Sequence, residues 1–79
     1  MRTDDVRSML LSVIGDIAPD ADLAPLDPDG DLRELLGLDS IDFLNIVAAV
    51  RDRTGVDIAE RDYPTVATLN GFIAHVAGR

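Results

Sequence analysis

An all-α bundle of three main helices and one short helix is the fold this sequence predicts, and three features carry the prediction. Apolar residues recur at helical spacing in three separate stretches, residues 6–17, 41–50 and 66–76. The first two are separated by a long loop, residues 19–38, that holds Pro19, Pro25, Pro28 and Gly30 among aspartates at 20, 22, 27, 29 and 31. Residue types that start or stop helices stand where the periodic stretches begin and end, with Asp39 and Thr65 at two starts and Gly55 at a stop.

The first helix is expected over about residues 4–18. Val6, Met9, Leu10, Val13, Ile14 and Ile17 fall at i, i+3, i+4, i+7, i+8 and i+11, which is one helical face. Thr3 is its expected N-cap, Asp4 and Asp5 suit the positive end of the dipole, and Pro19 ends it. Gly15 weakens the last turn by about 1 kcal/mol relative to alanine.

In the loop, Leu23 and Leu26 are expected to reach the core, and residues 31–36 to make a helical turn or two. Asp27-Pro28-Asp29-Gly30-Asp31 superficially suggests a calcium loop. Its glycine comes fourth instead of sixth, and Leu38 stands where a bidentate acid is needed, so a turn in a solvated loop is the reading and no metal site is expected.

The central helix is expected over about residues 40–54, with Asp39 as N-cap, Ser40 as its first residue and Gly55 just past its end. Ile41, Phe43, Leu44, Ile46, Val47, Ala48, Ala49 and Val50 leave hardly a polar stripe. Such a helix must bury one side and show apolar surface on another. Ile46, Val47 and Val50 are assigned to the core, and Ile41, Leu44 and Ala48 to an outward face.

A short helix is expected at about 59–63, with Pro64 biasing Tyr63 toward an extended backbone. The last helix is expected over about 66–77, capped by Thr65, with Val66, Leu69, Phe72, Ile73 and Val76 on one face and Gly71 on the opposite side.

Composition narrows the function. A chain of 79 residues buries only about 60% of its surface, which makes an enzyme cleft hard to build. Fifteen acidic residues against seven basic ones, all arginine, give a net charge of −8. Polyanion binding needs clustered cations, so nucleic acid and anionic membrane are poor partners and basic proteins better ones. With no cysteine, disulfides and thiolate metal sites are excluded. Early Asp4 and Asp5 and the interruption at Gly15-Asp16 argue against a secretory signal, and no segment approaches the ~20 apolar residues of a membrane span, so a cytoplasmic location is expected. A monomer is expected as well.

Ser40 is the residue on which a function can rest. At the first position of a helix its hydroxyl lies beside unpaired N–H groups and a partial positive charge, a favourable place for a phosphate ester. It is an acceptor and not a catalytic nucleophile: no histidine is near in sequence, and no Gly-x-Ser-x-Gly elbow surrounds it. His75, near the end of the last helix, is read as a helix-terminal charge or a surface residue, so no catalytic residue is assigned. Asp39 and Asp42, which flank the serine, read as a cap and a first-turn dipole partner.

Leu38-Asp39-Ser40-Ile41-Asp42 resembles the Asp-Ser-Leu signature of acyl carrier proteins, with isoleucine in the place usually held by leucine. The resemblance covers nearly the whole chain in order and spacing. It implies an acyl-carrier-like antiparallel bundle, with 4′-phosphopantetheine taken from coenzyme A and attached at Ser40, whose thiol holds acyl groups as thioesters for fatty acid, polyketide or related biosynthesis. It also implies recognition by a phosphopantetheinyl transferase, an acyl- or aminoacyl-loading enzyme and downstream biosynthetic enzymes. The expected partner face comprises Asp39, Ile41, Asp42, Leu44, Asn45, Ala48 and Arg51.

The start at Met1 and the end at Arg79 suggest a free-standing carrier. Two alternatives stand beside it: an aminoacyl or peptidyl carrier of a specialised pathway, and an unmodified helical interaction domain. Carriers of bacterial fatty acid synthesis typically have a run of acids along the second helix. Here that stretch contains Asn45 and Arg51-Asp52-Arg53, so the acidic stripe is nearly cancelled.

Overall fold

The computed structural model describes residues 2–23 and 26–78; Ala24 and Pro25 of the long loop, like Met1 and Arg79, lie outside the described residues. Four α-helices follow in order: α1 (Thr3–Ile17), α2 (Leu32–Leu36), α3 (Ser40–Thr54) and α4 (Leu69–Ala77). Two 3₁₀ turns, Glu60–Asp62 and Thr65–Ala67, lie between α3 and α4, and no strand is present among the described residues. None of these helices is long and apolar enough to cross a membrane.

α1 packs on both α3 and α4, so its apolar stripe is the seam of the bundle. Val6, Leu10, Val13 and Ile14 meet Ile46, Val47 and Val50 of α3 and Leu69, Phe72, Ile73 and Val76 of α4 in one shared core. Leu32, Phe43, Ile58 and Val66 complete it. The three core residues assigned on the central helix are buried, and Phe43, left unassigned by its position, is buried as well. Leu23 and Leu26 pack against this core from the loop. Consequently the loop is held at both ends and in its middle.

Asp27, Asp29 and Asp31 of the loop act as local caps and clamps. Asp27 Oδ1 accepts from the Asp29 N–H at 2.9 Å, and Asp31 Oδ1 accepts from the N–H groups of Arg33 and Glu34, which starts α2. Asn70 then ties the loop to α4: its backbone N–H donates to Pro28 O at 3.0 Å and its Nδ2 to Asp29 Oδ1 at 2.8 Å.

Three local expectations are corrected. Thr3 does not cap α1; it is the first helical residue, because the Val6 N–H already donates to Arg2 O, and the Arg2 side chain makes no cap bond. Tyr63 is helical (φ −57°, ψ −40°) despite the proline after it. Its N–H donates to Glu60 O, and its ring meets Phe43 edge-on with centroids 5.6 Å apart, contacts that outweigh the pre-proline bias.

The last helix begins at Leu69, not 66, and its cap is Thr68, whose hydroxyl accepts from the Gly71 N–H at 3.0 Å. Thr65 instead belongs to a 3₁₀ turn that buries Val66. Gly71 is the reason this turn closes on the helix. A Cβ there would run into the Thr65 carbonyl, so Gly71 faces a packed backbone and not open surface. Gly71→Ala is therefore expected to destabilise by about 1–3 kcal/mol, overriding the ~1 kcal/mol helix preference for alanine. Thermal melting measures this; a raised Tm would show that the turn gives way freely.

At the far end of α3, Gly55 (φ 75°) stops the helix with its N–H on Arg51 O. Arg53 reaches Asp16 of α1 at 3.3 Å, an exposed pair worth at most about 1 kcal/mol.

Candidate functional site

The site grows out of the junction between α2 and α3. α2 ends on Gly37 in the left-handed conformation (φ 66°), whose N–H bonds Arg33 O, and the Leu38 N–H bonds the same oxygen at 2.9 Å. Leu38 packs against the core, which anchors the next residue. Asp39 is extended, and its Oδ1 accepts from the Asp42 N–H at 2.8 Å. The cap expected of Asp39 is thus in place. Ser40 is the first residue of α3 and is exposed to solvent.

Because Asp39 fixes the start of α3, Ser40 is held on rigid backbone at the positive end of a fifteen-residue helix. It also opens onto a groove of about 300 Å³ lined by Arg33, Phe43, Leu44, Glu60 and Tyr63. A phosphoester on this serine would displace no packed side chain, since Ser40 lies outside the buried core. The residues present fit such a group.

Around the serine, α3 divides into a buried and an outward side, with Ala48, expected outward, lying between them. Ile41 is 68% exposed and Leu44 47% exposed, Asn45 and Arg51 are exposed, and Asp42 and Ala48 are half-buried. Asp42 sits in the first turn, where its carboxylate complements the dipole. Leu35 of α2 is a further large apolar residue at the surface, 47% exposed, with its Cδ1 close against Gly30. Exposed apolar surface is therefore concentrated on the two helices that flank Ser40.

Several residues of the groove went unread in the sequence. Arg33, Glu60 and Tyr63 come from segments on either side of α3 and share no period with it. Among them only Tyr63, by its aromatic ring, carries a sequence signal for its place against Phe43. His75, in the last turn of α4, is half-buried, and its Nε2 is shielded with no hydrogen-bond partner among the described residues. Of its two expected readings the helix-terminal position agrees with the structure, while the side chain is half-buried and not fully at the surface.

Comparison with known proteins bears directly on Ser40. No solved structure matches the chain. An acyl carrier protein of Streptomyces coelicolor is 28% identical over 74 residues, covering 94% of this chain and 76% of that protein. The family described as the phosphopantetheine attachment site matches residues 4–76, from the first turn of α1 to the last turn of α4. The chain belongs to this family of acyl carrier proteins: it is a carrier and not an enzyme, and its prosthetic group is covalently attached 4′-phosphopantetheine.

Proposed function

We propose that Ser40 is the attachment residue and that the chain carries acyl or aminoacyl groups between the enzymes of a specialised biosynthetic pathway. The observation that carries this reading is an exposed serine at the first position of a long helix whose start is fixed by the Asp39 cap. The attached group supplies a terminal thiol on which such groups are held as thioesters. Ser40 provides the ester oxygen, Asp39 holds the helix start rigid, and α3 presents the surface that partners read. Asp39 and Asp42 also mark the serine for the phosphopantetheinyl transferase, a basic-surfaced partner being suited to a chain of net charge −8.

The intact mass of the protein from its own cell, followed by mapping of the modified peptide, tests the reading. One phosphopantetheine increment on the peptide containing Ser40 supports it, and a mass equal to the bare chain refutes it. The same spectrum reports the cargo, which distinguishes an acyl from an aminoacyl carrier.

The specialised-pathway reading rests on α3. Asn45 and Arg51-Asp52-Arg53 break the acidic stripe, while Ile41 and Leu44 stand exposed. Docking should then depend on apolar contact, with Asp42 and Arg51 tuning orientation. Leu44→Ala is expected to lower loading by the cognate transferring enzyme about tenfold or more. The salt dependence of loading should be shallow, since exposed charge pairs are screened and apolar contacts are not. A steep loss of loading with salt, together with a silent Leu44→Ala, would favour charge-steered docking instead.

A further inference from the structure

Charge beside the candidate attachment point is lopsided. Asp39 and Asp42 flank Ser40 in sequence, and Glu60 lines the adjoining groove. A phosphodiester on Ser40 would add another negative charge to this neighbourhood. Arg33 is the one cation that lines the groove among the described residues. The arginines of α3 itself cannot serve, because Arg51 and Arg53 lie 11 and 13 residues along the helix, about 16–20 Å away at 1.5 Å per residue.

Arg33 is also held in place. Its guanidinium carbon lies 5.5 Å from the centroid of the Phe43 ring, and that ring is buried and met edge-on by Tyr63. A guanidinium attracted to a ring face through its charge still has N–H donors of its fork free for another partner. That fork matches the two free oxygens of a phosphodiester. The carboxylate of Asp31, two residues before it, is engaged with backbone: its Oδ1 accepts from the N–H groups of Arg33 and Glu34.

We propose that Arg33, seated on the Phe43 ring, is a positioning residue that holds the phosphodiester linking the prosthetic group to Ser40 and so directs that group along the groove beside residues 60–63. The inference rests on Ser40 being the attachment residue. α2 is only five residues long, yet besides burying Leu32 it delivers one cation to the start of α3. The charge keeps the group from being repelled by the surrounding carboxylates, and the place of Arg33 beside Phe43 sets its direction of exit.

Phosphorus NMR tests the proposal on wild type, Arg33→Gln and Arg33→Lys, each loaded from coenzyme A by a phosphopantetheinyl transferase and checked by mass. At low salt the wild-type resonance is expected to be displaced from that of Arg33→Gln and to move toward it as salt rises. The Arg33→Gln resonance should be insensitive to salt, and Arg33→Lys should recover part of the displacement. A merely structural role for Arg33 would move none of these signals. Coincident resonances at low salt, or equal salt responses, would overturn the proposal.

A second readout needs no variant. The Arg33 Nε–H cross-peak of the wild type should shift between the apo and loaded forms, and an unmoved cross-peak would also overturn it. Failure of the wild type to load at Ser40 is a different result, since it refutes the attachment reading itself.

Discussion

Ser40→Ala is expected to accept no phosphopantetheine, while wild type takes up one group, when both are incubated with coenzyme A and a broad-specificity phosphopantetheinyl transferase. Intact mass reads the outcome as all or none. Two other serines make the test informative, because Ser8 and Ser12 are also exposed but sit mid-helix in α1, away from any helix start. Exposure alone would therefore leave the variant partly modified. Stability should hardly move, as surface substitutions away from packed or capping groups stay within about ±0.5 kcal/mol, and the cap here belongs to the Asp39 side chain. An unmodified wild type, or a variant modified equally well, would defeat the assignment of Ser40.

The parts of this molecule legible in its sequence are those whose cause lies within a few residues. Asp39 caps the Asp42 N–H three residues on, and Gly55 adopts the positive φ that ends α3; both are local decisions. The split of α3 into a buried and an outward face follows from its own period, and Ile46 and Leu44 fall on the sides expected of them.

Where two local signals competed, the sequence alone did not decide. Thr65 and Thr68 are both good caps three residues apart, and the winner is set by the approach of the Thr65 carbonyl to Gly71, a packing matter. Tyr63 overrides its proline neighbour for the same kind of reason, since its ring is held against Phe43, twenty positions earlier in the chain. Asn70 clamps Asp29 across 41 residues, and no period or cap rule foretells a contact at such a distance. The groove beside Ser40 is likewise assembled from α2, α3 and the turn at 60–63. Its Arg33 became visible only when the chain was folded.

Phe72→Ala should come close to unfolding the domain. Phe72 is fully buried and heads the large side chains of the core, within α4 and among the residues packed on α1. Truncating such a phenylalanine costs about 3–5 kcal/mol, from lost transfer free energy and the cavity left behind. At about 0.05–0.15 kcal/mol per residue, 79 residues confer only about 4–12 kcal/mol in total.

The variant should thus lose about a quarter or more of its stability, seen in urea melts as a lowered midpoint with an unchanged slope. Ile46→Ala should lose about 2–5 kcal/mol by the same mechanism. Leu44→Ala provides the contrast: it lies two residues away on the same helix, but Ile46 is fully buried while Leu44 is 47% exposed. Its loss should be well under that of Ile46→Ala, since nearly half of its surface stays in water. If Leu44→Ala destabilised as much as Ile46→Ala, the outward face of α3 would be part of the core, and the surface proposed for docking would not exist.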